Sequence, residues 1–300
     1  MIMVLNHRDS PPVSVVSSPI YGNLILTERP RSISPRVSVI VAVWNGESVI
    51  TACLDSLWGQ TYKNFEVVVV NDGSKDATMS ILEGINNPRL RVINLSLNRG
   101  CSVARNQGIK AARGEFIAIL DADDISLPMR LEKQVQYLDK YHDCGIVGCY
   151  FELHSEMGNT KVAKRPVTDR EIRRSISFMI PFVHSGVMMR RSAFSETSGY
   201  QPGLSHGEDY RLFADILKRH KGANLPEVLV VKHENANGLT FRISPFQHFV
   251  IGLKNRFYVT HLISPGLRGY CHAIAAALAV FFVRSLGLNR ETLKKLLGGG

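Results

Sequence analysis

The chain has 300 residues, 45% hydrophobic and 21% charged, with 24 Gly and 13 Pro; this globular composition excludes collagen, a coiled coil and a mainly disordered chain. The formal charge of +10 is lopsided: residues 235–300 hold eight Lys/Arg against one acid, Glu291, so they carry +7 and the rest only +3. That balance points to an anionic partner, either nucleic acid or a membrane surface, while five cysteines with no CxxC pair argue against a disulfide scaffold or zinc module and for a reducing compartment.

Residues 1–35 are rich in Pro and Ser without sustained periodicity and read as a loosely ordered leader. They hold no compact apolar run behind a basic start, so no signal peptide is expected. Order begins at Val37. Apolar runs at Val37–Val43, Phe65–Val70, Leu90–Leu95 and Glu115–Leu120 predict four buried strands. Helical patterns at Ser48–Trp58, Asp76–Ile85 and Ser102–Ala112 lie between them. Continuous rather than alternating strands joined by helices imply a parallel sheet covered on both faces, an α/β architecture. Further on, helices are expected at Pro128–Tyr141 and Gly207–His220, and strands near Gly145–Leu153, Gly186–Arg190 and Glu227–His233. The last part, Pro245–His261 and Leu267–Leu286, reads as a C-terminal helical extension. Within it Gly269–Val283 is uncharged between Arg268 and Arg284, and this run falls short of the ~20 residues of a spanning helix.

Ligands of open parallel sheets bind beyond the carboxyl ends of the strands. Polar segments follow all four: Trp44-Asn45-Gly46-Glu47, Asn71-Asp72-Gly73-Ser74-Lys75-Asp76, Asn98-Arg99-Gly100 and Asp121-Ala122-Asp123-Asp124. Turn and cap chemistry explains any one of them alone. It explains DADD poorly, because three carboxylates within four residues repel unless a cation or hydrogen bonds compensate. A divalent ion with hard oxygen ligands, Mg²⁺ or Mn²⁺, is the compensation expected. Neither GxGxxG after the first strand nor GxxxxGK[ST] anywhere is present, which favours a carboxylate–metal–diphosphate site over a glycine-rich phosphate cradle.

Three stretches, VSVIVAVWNGESVITACLDSLWGQTYKNFEVVVVNDGSKDAT, LNRGCSVARNQGIKAARGEFIAILDADD and HGEDYRLFADIL, occur in this order. With them the chain resembles the family 2 glycosyltransferases, inverting enzymes of the GT-A fold, from about Pro35 to Thr240. The resemblance implies a catalytic domain over residues 36–240, between the leader and a basic, apolar helical region at 241–300. It implies that Asp72 accepts a hydrogen bond from the nucleotide base, usually uracil. Asp121 and Asp123 then form the DxD motif, with Asp123 on the metal and Asp121 against the ribose or the metal shell; Asp124 is a further candidate. Asn45 and Glu47 match the first nucleotide-facing loop, and Arg105 and Asn106 are donor or sheet-edge contacts. Glu208 and Asp209 match the ED motif, with Asp209 the general base that takes the acceptor proton. His233 resembles a histidine that closes the metal or diphosphate site, while His184 and His206 are weaker candidates. Helix capping is the plain alternative for Asn45, Glu47, Glu208 and Asp209.

The chain departs from the family where Ala42-Val43-Trp44-Asn45 replaces Pro-x-Tyr-Asn, and the QxxRW of processive synthases is absent after Asp209. Transfer of one sugar per acceptor event is therefore expected, from a nucleotide-sugar donor to a glycan or lipid-linked saccharide. A catalytically inactive nucleotide-sugar-binding module and a nucleotidyltransferase are the alternatives. In the tail, Lys and Arg are interspersed with Phe246, Phe249, Phe257, Tyr258, Tyr270, Phe281 and Phe282. This suits peripheral contact with an anionic leaflet, or a helix pair packed on the domain with its charges solvated. No nucleic-acid motif accompanies the tail. A cytoplasmic protein, at the cytoplasmic face of the membrane on the first of these readings, is expected.

Overall fold

The computed structural model describes residues 34–155, 158–204, 206–233 and 244–285. The chain divides into two units, Met1–Ser34 and Pro35–Gly300. All but the last two residues of the expected leader lie outside the described residues, as do 241–243 and 286–300 of the C-terminal region.

Strand β1 (Val37–Val43) is buried at six of its seven positions. It runs parallel to β2 (Phe65–Asn71) on one side and to β4 (Phe116–Ile119) on the other, and β3 (Leu90–Asn94) extends the sheet parallel to β2. Parallel neighbours need crossovers, and α1 (Ile50–Trp58), α2 (Thr78–Glu83) and α3 (Cys101–Ala111) supply them. Because strand side chains alternate, β1 feeds two cores. Val39 and Val41 pack with Leu54, Leu57, Leu131 and Leu138, whereas Ile40 packs with Ala104, Ile109 and Phe213. Burial on both faces is what the unbroken apolar run required.

The remaining elements are β5 (Ile125–Ser126), α4 (Arg130–Lys140), β6 (Cys144–His154), β7 (Thr160–Ala163), α5 (Asp169–Ser175), β8 (Met188–Arg190), α6 (Arg191–Ser195), α7 (Glu208–Leu217), β9 (Lys221–His233), α8 (Pro245–Ile263) and α9 (Leu267–Ser285), with a 3₁₀ turn at His184–Gly186. The strand order is β3-β2-β1-β4-β8-β6-β9-β5, with β7 on β6. The result is a curled, largely parallel sheet flanked by helices and followed by C-terminal helices. Its antiparallel pairs are β4–β8, β8–β6, β6–β7 and β9–β5.

Strand β9 begins six residues before the expected Glu227. Pro226, which lacks the donor a ladder needs, falls where the β6–β9 register shifts between Cys149 and Tyr150. The irregularity lets one strand run through a proline. Helix α2 is shorter than its pattern because Asp76 Oδ1 accepts the Thr78 amide at 3.1 Å and ends the preceding turn. Helix α9 has 19 residues and is long and apolar enough to cross a membrane by length and composition; it outruns the uncharged stretch because Arg268 and Arg284 lie inside it.

Candidate active site

The carboxyl ends of β1, β2 and β4 share one edge of the sheet, and the amino ends of α3 and α7 meet it. The loops after β1 and β2 are stitched together. Ser74 Oγ accepts the Asn45 amide at 2.9 Å, Asn45 Oδ1 accepts the Lys75 amide at 2.8 Å, and Glu47 Oε2 accepts the Ala77 amide at 2.8 Å. Asn45 reaches its place at a φ of 51°, a left-handed conformation that Asn tolerates. Thus Asn45 and Glu47 hold the neighbouring loop and the start of α2, not the start of α1. Trp44 stands exposed beside them and takes no part in the core.

Asp72 is buried, and its two oxygens accept the Arg99 and Gly100 amides at 2.9 and 2.8 Å. It joins the end of β2 to the loop that starts α3. Asn106 holds the backbone of Tyr200 by two hydrogen bonds, at 2.6 and 3.0 Å.

Arg105, on α3, lies between two acids. Its Nη2 is 2.9 Å from Asp121 Oδ1 and its Nη1 is 3.0 Å from Glu208 Oε1, with the guanidinium 5.5 Å from the Tyr200 ring centroid. His184 Nδ1 lies 3.1 Å from Asp121 Oδ1, and His184 Nε2 lies 2.9 Å from the Tyr200 hydroxyl. A carboxylate only accepts, so the proton of this contact sits on Nδ1. Ser185 Oγ donates to Asp121 Oδ2 at 2.9 Å and also reaches Asp124. Burial alone would raise Asp121, but the His184 and Arg105 charges outweigh it and hold the carboxyl well below its usual range.

Asp124 is fully buried. Lys232 Nζ donates to its Oδ2 at 2.9 Å and the His233 amide to its Oδ1 at 3.1 Å. Burial pushes this carboxyl up to about 6 against the pull of Lys232. Arg105, His184, Ser185 and Lys232 thus surround Asp121 and Asp124, so protein cations and hydrogen bonds offset part of the DADD repulsion for which a metal is expected. The chain supplied its own cations from distant segments, a solution that local spacing does not reveal.

Asp123 differs. Among the described residues no hydrogen bond or ion pair engages its carboxylate, while its backbone oxygen lies 2.9 Å from His233 Nδ1. A carbonyl only accepts, so Nδ1 bears the proton and Nε2 keeps a lone pair. Among the described residues the Asp123 carboxylate and His233 Nε2 thus both keep free lone pairs, on two residues joined by a hydrogen bond. No cluster of three or more His, Cys, Asp and Glu suited to a metal exists among the described residues. The pair fits an ion that takes its other ligands from phosphate and water, as Mg²⁺ commonly does.

Glu208 and Asp209 open α7 after Gly207, whose φ is 80°. Asp209 Oδ1 accepts the Tyr210 amide at 2.7 Å. Burial raises the Asp209 carboxyl above its ordinary value, the Glu208 charge adds to this, and His184 and Arg105 oppose it. His206 does not join the acids: both its ring nitrogens are buried without a hydrogen-bond partner among the described residues, and its ring faces His248 at 6.1 Å.

The profile described as glycosyl transferase family 2 matches residues 38–198, more than half of the chain. The chain belongs to glycosyl transferase family 2. This glycosyltransferase is 32% identical over 208 residues to an uncharacterized glycosyltransferase of Haemophilus influenzae, a match spanning 65% of this chain and 64% of that protein. It is 30% identical over 198 residues to the amylovoran biosynthesis glycosyltransferase AmsE of Erwinia amylovora, spanning 64% and 74%. In structure it is similar to Staphylococcus aureus TarS 1-349 in complex with UDP-GlcNAc, at a TM-score of 0.64 and 23% identity over 87% and 75% of the two chains. The mannosyltransferase PcManGT of Pyrobaculum calidifontis, in complex with GDP-Man and Mn²⁺, superposes at a TM-score of 0.59 and 20% identity over 96% and 82%. Both are GT-A folds, as this enzyme is.

Sequence reasoning missed Lys232, Ser185 and Tyr200 at this edge. Lys232 had a signal, being the neighbour of His233 at the end of an extended run. Ser185 and Tyr200 had none, since single polar residues in a weakly patterned region carry no period.

Proposed function

We propose that this glycosyltransferase moves a single sugar from a nucleoside-diphosphate donor, a UDP-sugar, to a hydroxyl of a glycan or lipid-linked saccharide, with inversion, in cell-surface polysaccharide synthesis. The observation that carries the reading is the pairing at the start of α7. Asp209 is held by its own helix and destabilised as an anion by burial and by Glu208, while Glu208 is tied to Arg105. Two adjacent carboxylates in unlike surroundings have unlike tasks. The ion-paired Glu208 positions, and the less stable anion Asp209 takes the proton of the attacking hydroxyl.

The donor reading rests on three supports. Asp72, Asn45 and Glu47 shape the ledge beyond β1 and β2 where a base and ribose would lie. Relatives and neighbours add the rest: AmsE is named for a polysaccharide pathway, and TarS and PcManGT bind UDP-GlcNAc and GDP-Man. Asp123 and His233 would hold the Mn²⁺ or Mg²⁺, which when bound offsets charge growing on the departing diphosphate. Arg105 and Lys232 keep Asp121 and Asp124 charged and fixed, so that the loop bearing Asp123 holds one shape.

Release of nucleoside diphosphate from a panel of nucleotide sugars, with Mn²⁺ or Mg²⁺ and without acceptor, tests this. Metal-dependent release from one donor is expected, reduced about a hundredfold or more in Asp209→Asn and in Asp123→Ala. Neither release nor thermal stabilisation by any donor would sink the assignment. Pyrophosphate in place of nucleoside diphosphate would indicate nucleotidyl transfer.

A further inference from the structure

The C-terminal helix α9 is inverted. Its small residues Gly269, Ala273 and Ala277 are buried, together with Val283. Its opposite face presents Leu267, Cys271, Ile274, Ala275, Leu278 and Phe282, all exposed, with Leu267 81% and Phe282 56% accessible. A helix covering a soluble domain places charges on that face; this one places none between Arg268 and Arg284. The partner helix α8 exposes Phe246 and Phe257, with Lys254 between them. The loop after α5 adds Phe178, which is exposed and meets His272 of α9 at 6.2 Å. Phe178 thus adjoins α9, so exposed apolar residues meet there from two segments instead of standing singly.

We propose that the α8–α9 hairpin docks this enzyme onto an anionic lipid bilayer, with α9 lying flat in the headgroup region instead of crossing it. Charge complementarity selects the lipid. Arg268 is exposed at the start of the apolar face and Lys254 is exposed on α8, and the last 66 residues contain one acid against eight Lys/Arg. A basic rim around an apolar face is the composition of an interfacial helix.

The flat orientation follows from how the hairpin is held. Helix α9 packs on α8 along its length, with Phe257 against Tyr270 and Phe249 against Phe281, at 5.5 and 5.4 Å. Helix α8 is in turn fixed to α7: Asn255 Oδ1 accepts from Arg211 Nε at 2.7 Å and Tyr258 donates to Asp215 at 2.6 Å. For α9 to cross the bilayer, the hairpin would have to leave the domain or carry Lys254, Asn255 and Arg256 into hydrocarbon. Both cost more than resting on the surface.

Flotation of the purified full-length chain with vesicles tests the proposal. Binding to mixed phosphatidylcholine–phosphatidylglycerol vesicles is expected to exceed binding to pure phosphatidylcholine about tenfold or more at low salt. Ile274→Ser/Leu278→Ser/Phe282→Ser should abolish binding while keeping the melting temperature, since these side chains leave no cavity. Lys254→Gln/Arg268→Gln should lose the preference for the anionic lipid. Single Ile274→Trp and Phe282→Trp variants, quenched by brominated acyl chains, should report one shared shallow depth. Equal binding by the triple serine variant would overturn the proposal. So would two widely different tryptophan depths, or a wild-type dimer that this variant dissolves without any vesicle binding. The last outcome would assign the face to a second copy.

Discussion

Arg105 illustrates how one cation sets the state of several acids. It bonds Asp121 and Glu208 directly and lowers Asp209 through space. If Asp209 is the base, activity requires its anion, so kcat/KM falls as pH drops through its pKa. Because burial and Glu208 raise that pKa in the fold, the acid limb should lie above the ~4 of a free carboxylate. Removing a positive charge disfavours the anion further, so Arg105→Gln should move the limb to higher pH. Removing the Glu208 charge relieves repulsion, so Glu208→Gln should move it lower. A pH profile of donor turnover for the three proteins decides this; limbs that stay together would exclude Asp209 as the titrating base. The reading of Asp209 as base was available from the HGED stretch, but the opposed shifts depend on Arg105, over a hundred residues away in the chain.

At the scale of elements, the site edge is built from turns that lean on one another, and Gly73 is where they touch. Its φ is 68°, and a Cβ there would lie 2.5 Å from the Leu97 carbonyl carbon and 2.6 Å from the Asn98 nitrogen. Those neighbours are backbone and cannot rotate away. Gly73→Ala therefore combines a left-handed penalty of about 1–2 kcal/mol with displacement of the loop that Asp72 anchors. A loss of roughly 3 kcal/mol in urea denaturation, with a raised KM for the donor, is expected; unchanged stability would mean the two loops move independently. The strands β1, β2 and β4 were legible because unbroken Val and Ile runs have one economical burial. Helix α5 had a written signal, the capping box of Thr168 and Glu171, in a stretch too polar for a period to draw the eye. The buried polar brackets were not legible at all. Gln60 accepts the Leu131 amide and donates to the Leu127 carbonyl, and Arg130 donates to the carbonyls of Ile119 and Val187. Such residues look like surface residues until the chain has folded around them.

Across the whole molecule, Asn255 joins the α8–α9 hairpin to the turn that carries Glu208 and Asp209. Asn255 of α8 is buried, donates to the His206 carbonyl at 2.9 Å and accepts from Arg211 at 2.7 Å. It crowds Gly207, where a Cβ would lie 2.2 Å from its amide nitrogen. The turn that delivers Glu208 and Asp209 is thus shaped from outside the first 240 residues, by the helix pair whose apolar face points away from the domain. Asn255→Ala removes both hydrogen bonds and leaves a buried carbonyl and a guanidinium short of partners, costing about 2–4 kcal/mol. Its effect on catalysis separates two architectures. If α8 only covers the domain, turnover at a temperature well below unfolding should be unchanged. If it sets the pose of Asp209, kcat should fall about tenfold or more while donor binding, which the proposal assigns to the loops after β1 and β2, holds. The second outcome is expected, because the bond to His206 lies three residues before Asp209 and no other described hydrogen bond holds that carbonyl.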